Sequence, residues 1–129
     1  MVIVRRDAGA SPDSRYAHAG SRHGPFPAGT PLVAILRCEE LASPDEFAVT
    51  ESSRHNRTFL LNVERRRYKG SLAANVVTVA FVELDLGPLD AGDYELVAQV
   101  TTLEFDEYER PERARNPSRR EHRLAFQVR

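Results

Sequence analysis

The stretch Leu86-Gly87-Pro88-Leu89-Asp90-Ala91-Gly92-Asp93-Tyr94-Glu95-Leu96 decides the fold of this chain. It joins two segments, residues 76–86 and residues 94–103, in which apolar residues recur at every second position. That period is typical of β-strands. Glycine and proline between the two segments favour a sharp change of direction. An Asp-x-Gly-x-Tyr-x-Leu spacing ends the stretch, and it predicts a strand that begins at a defined corner.

Alternation of period two continues through the rest of the chain. It predicts strands near residues 32–38, 47–50, 59–69 and 122–129, with a short edge strand over residues 1–6. No segment has the 3.6-residue period of an amphipathic helix. The pattern therefore predicts a single all-β domain of about seven strands. Its predicted core consists of Leu36, Phe59, Leu61, Val82, Leu84, Leu96, Val100 and Phe126.

The Asp90-x-Gly92-x-Tyr94-x-Leu96 spacing resembles the tyrosine corner of immunoglobulin-like and fibronectin-type β-sandwiches. The resemblance implies an antiparallel sandwich in which segments 76–86 and 94–103 lie in opposite sheets. It also implies that the Tyr94 hydroxyl bonds to a backbone group of the preceding loop, and that Gly92 has a backbone angle other residues avoid. Leu96 stands where secreted immunoglobulin domains carry their second cysteine, so apolar packing would replace the disulfide.

Two segments lack a sustained alternation. Residues 7–30 are rich in glycine, alanine, serine and proline, which predicts a long N-terminal loop or flexible arm. Residues 104–121 are almost wholly charged or turn-forming, which predicts a long charged loop or hairpin extension near the C-terminus. The length of this second segment makes it a candidate for function, and a tolerated insertion is the alternative.

Composition restricts the class of partner. The 129 residues carry a formal net charge of −1, which argues against a general nucleic-acid binder and a polybasic membrane binder. The chain has no tryptophan, the side chain that often stacks on sugars. Cys38 is the single cysteine, so no intrachain disulfide forms, and its phase with Leu36 predicts an inert core thiol. No segment resembles a signal peptide or a membrane span, which favours a cytoplasmic protein; a trimmed extracellular domain would have the same sequence pattern.

No motif for catalysis, metal binding or cofactor binding stands out. The four histidines, His18, His23, His55 and His122, are scattered, and zinc requires three or four converging ligands. The acidic residues between positions 104 and 112 do not follow a calcium-loop pattern. We therefore predict that the protein is not an enzyme and has no cofactor or metal.

The run Arg65-Arg66-Arg67-Tyr68-Lys69 is the one local concentration of positive charge. In a strand, Arg65 and Arg67 fall on one face and Arg66 on the other. Such charges protect a strand end against edge-to-edge pairing, and an anionic partner is the alternative. The candidate partner-binding residues are Arg65, Arg67, Arg110, Arg113 and Arg115.

These observations favour a non-catalytic protein-interaction or structural module, with a protein or a second copy of the chain as partner. A small-ligand or carbohydrate-binding module is the alternative, for which Tyr16, Tyr68 and Tyr108 are candidate stacking residues. A hydrolase or metalloenzyme on a β-scaffold is a third hypothesis that lacks a recognisable constellation.

Overall fold

A computed structural model describes residues 1–5, 23–42, 46–68, 77–105 and 114–129. Across these ranges the regular structure is entirely β, which confirms the predicted all-β class and the number of strands. The seven strands are β1 (Val2–Arg5), β2 (Pro31–Ala42), β3 (Glu46–His55), β4 (Thr58–Tyr68), β5 (Val77–Pro88), β6 (Gly92–Phe105) and β7 (Ala114–Val128).

The strands form two sheets that share one core. One sheet has the order β1-β2-β5 and the other β3-β4-β6-β7. Leu32 and Ala34 of the three-stranded sheet pack in the same apolar cluster as Leu96 and Phe126 of the four-stranded sheet. The two sheets therefore face each other across a common interior, as in a β-sandwich.

One strand pairing corrects the prediction of an antiparallel sandwich. Strands β4 and β6 run parallel, with Thr58 opposite Glu95 and Tyr68 opposite Phe105, whereas the other four pairings are antiparallel. Parallel neighbours need a crossover connection. Here β5 serves as that crossover, because it lies in the opposite sheet between β4 and β6 in sequence.

The corner between β5 and β6 has the geometry that the sequence predicts. The two strands lie in opposite sheets, and the Tyr94 hydroxyl donates a 2.8 Å hydrogen bond to the Asp90 carbonyl oxygen. Gly92 has a φ of +159°, at the limit of the range that side chains disfavour. A Cβ atom on Gly92 would also lie 2.7 Å from Cζ of Arg57, so a larger residue here would displace the flexible end of that exposed side chain.

The predicted core residues lie in the interior. Leu36, Phe59, Leu61, Leu96 and Phe126 are buried. The remaining three are partly buried and pack against the same clusters; they are Val82, Leu84 and Val100. Leu96, at the position of the missing second cysteine, is fully buried among apolar side chains.

The three-stranded sheet is apolar on both faces. Val33 and Ile35 alternate with the core residues of β2, and they form a separate buried cluster with Val2 and Val4 of β1. Alternation places this cluster on the face turned away from the four-stranded sheet. Farther along the same face of β2, Arg37 is exposed.

The end of the predicted N-terminal arm is attached to the sandwich. Residues 6–22 lie outside the described part of the chain, but Phe26 forms a parallel bridge with Val128 on the outer edge of β7. The Phe26 amide donates to the Gln127 carbonyl at 2.9 Å, and the Arg129 amide donates back to Phe26 at 2.9 Å. Residues 23–30 therefore form a loop whose backbone groups pair with the open edge of the sheet at β7.

For residues 104–121, the structure agrees with the predicted hairpin extension. Strand β6 continues to Phe105 and β7 begins at Ala114, so both ends of the segment extend the β6–β7 hairpin. Residues 106–113 lie outside the described residues, as does the side chain of Cys38, so the inert core thiol stays a prediction. In the described residues, no helix is long and apolar enough to cross a membrane.

Candidate functional site

The candidate site is the end of the four-stranded sheet at which β4 and β6 finish and β7 begins. We call it the basic end and define it by residues 64–68, 101–105 and 114–121. Strand pairing aligns Arg65 with Thr102 and Ser118, and the next row aligns Arg67 and Arg115 on either side of Glu104. The register thus brings together arginines that lie about 50 residues apart in sequence.

The basic end exists because the apolar alternation of β4 and β6 stops there. Val63 is buried in the core and Val100 packs against the same cluster. The next positions on the same face are Arg65 and Thr102, which are only half-buried. A face that changes from valine to arginine cannot continue a hydrophobic core, so the sandwich interior becomes polar at this end.

The opposite face of the four-stranded sheet carries ion pairs. Nε of Arg66 donates a 2.7 Å hydrogen bond to a carboxylate oxygen of Glu64. Farther along β7, Arg123 bonds Glu121 and Glu95, each at 2.8 Å. These contacts neutralise Arg66 and Arg123 locally, and the bonds from Arg123 lower the pKa of Glu121.

His122 marks the boundary between the core and the basic end on β7. Pairing places His122 opposite Ala98, and Arg120 opposite Val100, on the core-facing side of the strand. Partial burial lowers the pKa of His122, and the positive charges of the amino terminus and Arg120 lower it further. His122 therefore stays neutral to lower pH than an ordinary histidine, and the positive charge here comes from arginine.

The structure brings together three of the five predicted partner-binding residues. Arg65, Arg67 and Arg115 all lie at the basic end through the register of β4, β6 and β7. Arg110 and Arg113 lie outside the described residues.

The sequence pattern did not predict that Arg119, Arg120 and His122 belong to the basic end. Both arginines are exposed, and they stand opposite Thr101 and Val100 of β6. The phase of β7 could have indicated their position, because Arg120 and His122 continue the even-numbered series of Leu124, Phe126 and Val128.

The described residues hold no group of three or more His, Cys, Asp or Glu side chains able to bind a metal ion. Of the four histidines, the structure describes three. His55 lies in β3, His122 in β7, and His23 in the loop before β2. The His23 ring, through Nδ1, is 2.8 Å from the carbonyl oxygen of Ala125.

No family model matches the chain, and no curated protein or solved structure matches it either. What the fold and the site define is therefore a structural class, an all-β protein of two packed sheets with a basic end on its four-stranded sheet.

Proposed function

We propose that this protein is a non-catalytic binding module whose basic end docks an acidic surface of a partner protein. The observation that carries the proposal is the register of the four-stranded sheet, which gathers arginines from β4 and β7 around the end of β6. Such a local excess of positive charge on a sheet attracts and orients a partner of opposite charge.

The charge balance of the basic end differs from that of the whole chain. The chain has a formal net charge of −1, yet arginine exceeds glutamate at the basic end. The arginines there are Arg65, Arg66, Arg67, Arg115, Arg119 and Arg120, and the glutamates are Glu64, Glu104 and Glu121. The local excess of positive charge favours an acidic protein patch over a neutral ligand.

The immunoglobulin-like assignment belongs to the same proposal. The Tyr94–Asp90 hydrogen bond and the passage from β5 to β6 between sheets support it. The parallel β4–β6 pair departs from the all-antiparallel pattern of that superfamily. We propose a related sandwich in which β4, rather than β3, is the strand of the β3–β4 hairpin that lies beside β6.

Charge reversal tests the docking surface. Exposed Arg119 and Arg120 are replaced together in the Arg119→Glu/Arg120→Glu variant. The matched control, Arg5→Glu/Arg129→Glu, makes the same change in net charge on exposed residues away from the basic end. Circular dichroism and thermal melting verify that both variants are folded.

Two probes are used with these variants. Polyglutamate serves as a defined acidic polypeptide, and partners captured from the host lysate are then purified and titrated. We expect the basic-end variant to weaken both interactions by at least about tenfold, with a strong dependence on salt, and the control to leave them unchanged. Equal loss in both variants, or undiminished binding by the basic-end variant, would show that the basic end is not the docking surface.

A further inference from the structure

Two arginines cover one tyrosine ring at the end of the sandwich opposite the basic end. Cζ of Arg54 and Cζ of Arg57 each lie 5.9 Å from the centroid of the Tyr94 ring. Arg54 is also 5.1 Å from the centroid of Phe59. Phe126 stacks on Tyr94 with a centroid distance of 5.5 Å and an interplanar angle of 17°. Each guanidinium group therefore lies over the same Tyr94 ring on which Phe126 stacks.

The two positive charges have no acidic partner in the described part of the chain. No carboxylate there lies within the 4.0 Å ion-pair distance of Arg54 or Arg57. One side-chain hydrogen bond is present, from Nε of Arg54 to the Asn56 carbonyl oxygen at 2.8 Å. Two like charges beside one ring repel each other, and their remaining N–H donors point to no described acceptor.

The backbone fixes the position of both arginines. They flank Asn56, which has a φ of 54° at the turn between β3 and β4. The Arg57 carbonyl oxygen accepts a 2.9 Å hydrogen bond from the amide of Glu95 in β6. Arg54 pairs with Phe59 in the register of the hairpin. The turn that carries both arginines is thus tied to the neighbouring strand, which limits the movement of their backbone.

We propose that Arg54 and Arg57 form a binding site for a tetrahedral oxyanion, a phosphate or sulfate group carried by a ligand. Guanidinium N–H donors match the oxygens of such a group in geometry and charge, and one dianion relieves the repulsion between both arginines. The exposed position admits a group that protrudes from a larger molecule. The site is independent of the basic end, because the length of β4 places about 20 Å of sheet between the two.

The test is a titration of the folded protein with inorganic phosphate and with sulfate, followed in ¹H–¹⁵N NMR spectra at constant ionic strength. Sodium acetate and sodium chloride are the reference salts. We expect saturable shifts of the Asn56 and Gly92 amides and of the Tyr94 ring with phosphate and sulfate, and none with the reference salts. Phosphoserine and a sugar sulfate then distinguish a phosphate source from a sulfate source.

Three variants identify the residues responsible. Arg54→Gln/Arg57→Gln removes both charges and should weaken phosphate binding at least tenfold. Gly92→Ala keeps both charges but forces Arg57 from its place, because the added Cβ would lie 2.7 Å from Cζ of Arg57; it should also weaken binding. Arg119→Gln/Arg120→Gln, at the basic end, should bind phosphate as the wild type does.

Linear shifts without saturation, the same shifts with chloride, or undiminished binding by the double glutamine variant would overturn the proposal. In that event the two arginines serve only to cover the aromatic rings. Because this site and the basic end are tested by different variants, failure of one proposal leaves the other intact.

Discussion

The hydroxyl of Tyr94 donates a 2.8 Å hydrogen bond to the main-chain carbonyl oxygen of Asp90, four residues earlier. The Tyr94 side chain is buried between Phe126, at a centroid distance of 5.5 Å, and Phe59, at 6.2 Å. One side chain therefore fixes the loop that carries the chain from one sheet to the other and also fills the core beneath it.

Replacing Tyr94 with phenylalanine should lower the free energy of unfolding by about 0.5–1.5 kcal/mol, the usual net contribution of one intramolecular hydrogen bond. The ring contacts with Phe126 and Phe59 remain, so the loss isolates the hydroxyl. Urea denaturation followed by circular dichroism measures it. Tyr68→Phe is a control outside the corner, and an unchanged midpoint for Tyr94→Phe would show that the hydrogen bond contributes nothing to stability.

Leu96→Ala should destabilise the protein more strongly. Leu96 is fully buried between the sheets, and its position has no disulfide to compensate for lost packing. A buried leucine replaced by alanine costs about 2–5 kcal/mol, because apolar contacts are lost and a cavity remains. Leu60→Ala, at a largely exposed position on the other face of the same sheet, is the matched control. Similar losses for both variants would contradict the central position of Leu96.

The corner and the core could be predicted because period two assigns a strand residue to a face of its sheet. That rule placed Leu96, Val100 and Phe126 in the interior, and the Asp90-to-Leu96 spacing identified the change of sheet. The same rule is silent about which strands are neighbours. The parallel pairing of β4 with β6 could not be predicted, because it depends on how the β3–β4 hairpin docks and not on the pattern within either strand.

The basic end was predicted only in part, for a related reason. Residues 114–121 belong to β7, but they contain no alternation of apolar and polar residues because this end of the sheet buries little. Without that signal, a charged strand resembles a loop. The attachment of Phe26 was not predicted either. Backbone hydrogen bonds to Gln127 and Arg129 hold it at the edge of β7, and such bonds leave no periodic pattern in the sequence.

Because of His122, the free energy of unfolding should depend on pH in the range below neutral pH. Partial burial, the amino terminus and Arg120 lower its pKa from the ordinary value of 6.5 in the folded state. The unfolded chain then binds a proton at higher pH than the folded protein does. The contribution of neutral His122 is fully present above pH 6.5 and is lost as the pH falls through the lower, folded-state pKa.

Urea midpoints of the wild type and of His122→Gln between pH 5 and pH 8 measure this effect. We expect the wild type to lose stability on acidification more steeply than the variant. His55→Gln is the control, because His55 is exposed in the β3–β4 hairpin. Parallel curves for the wild type and His122→Gln would show that His122 titrates alike in the folded and unfolded chain.

Shortening the β6–β7 hairpin should destabilise the protein, whereas shortening an unpaired loop would leave its stability nearly unchanged. Replacing residues 107–119 by a short glycine-containing turn removes β7 residues that pair with β6, among them Arg115 opposite Glu104 and Ser118 opposite Thr102. Their loss leaves the end of β6 without its β7 neighbour and exposes main-chain groups that were paired. We expect a lower melting temperature, measured by circular dichroism, together with loss of polyglutamate binding.

The control Arg115→Ser/Arg119→Ser keeps the strand and removes only charge, so it should weaken binding and leave the melting temperature nearly unchanged. A shortened protein as stable as the wild type would mean that the paired extension adds nothing to folding, and that any binding lost with it came from its charges alone.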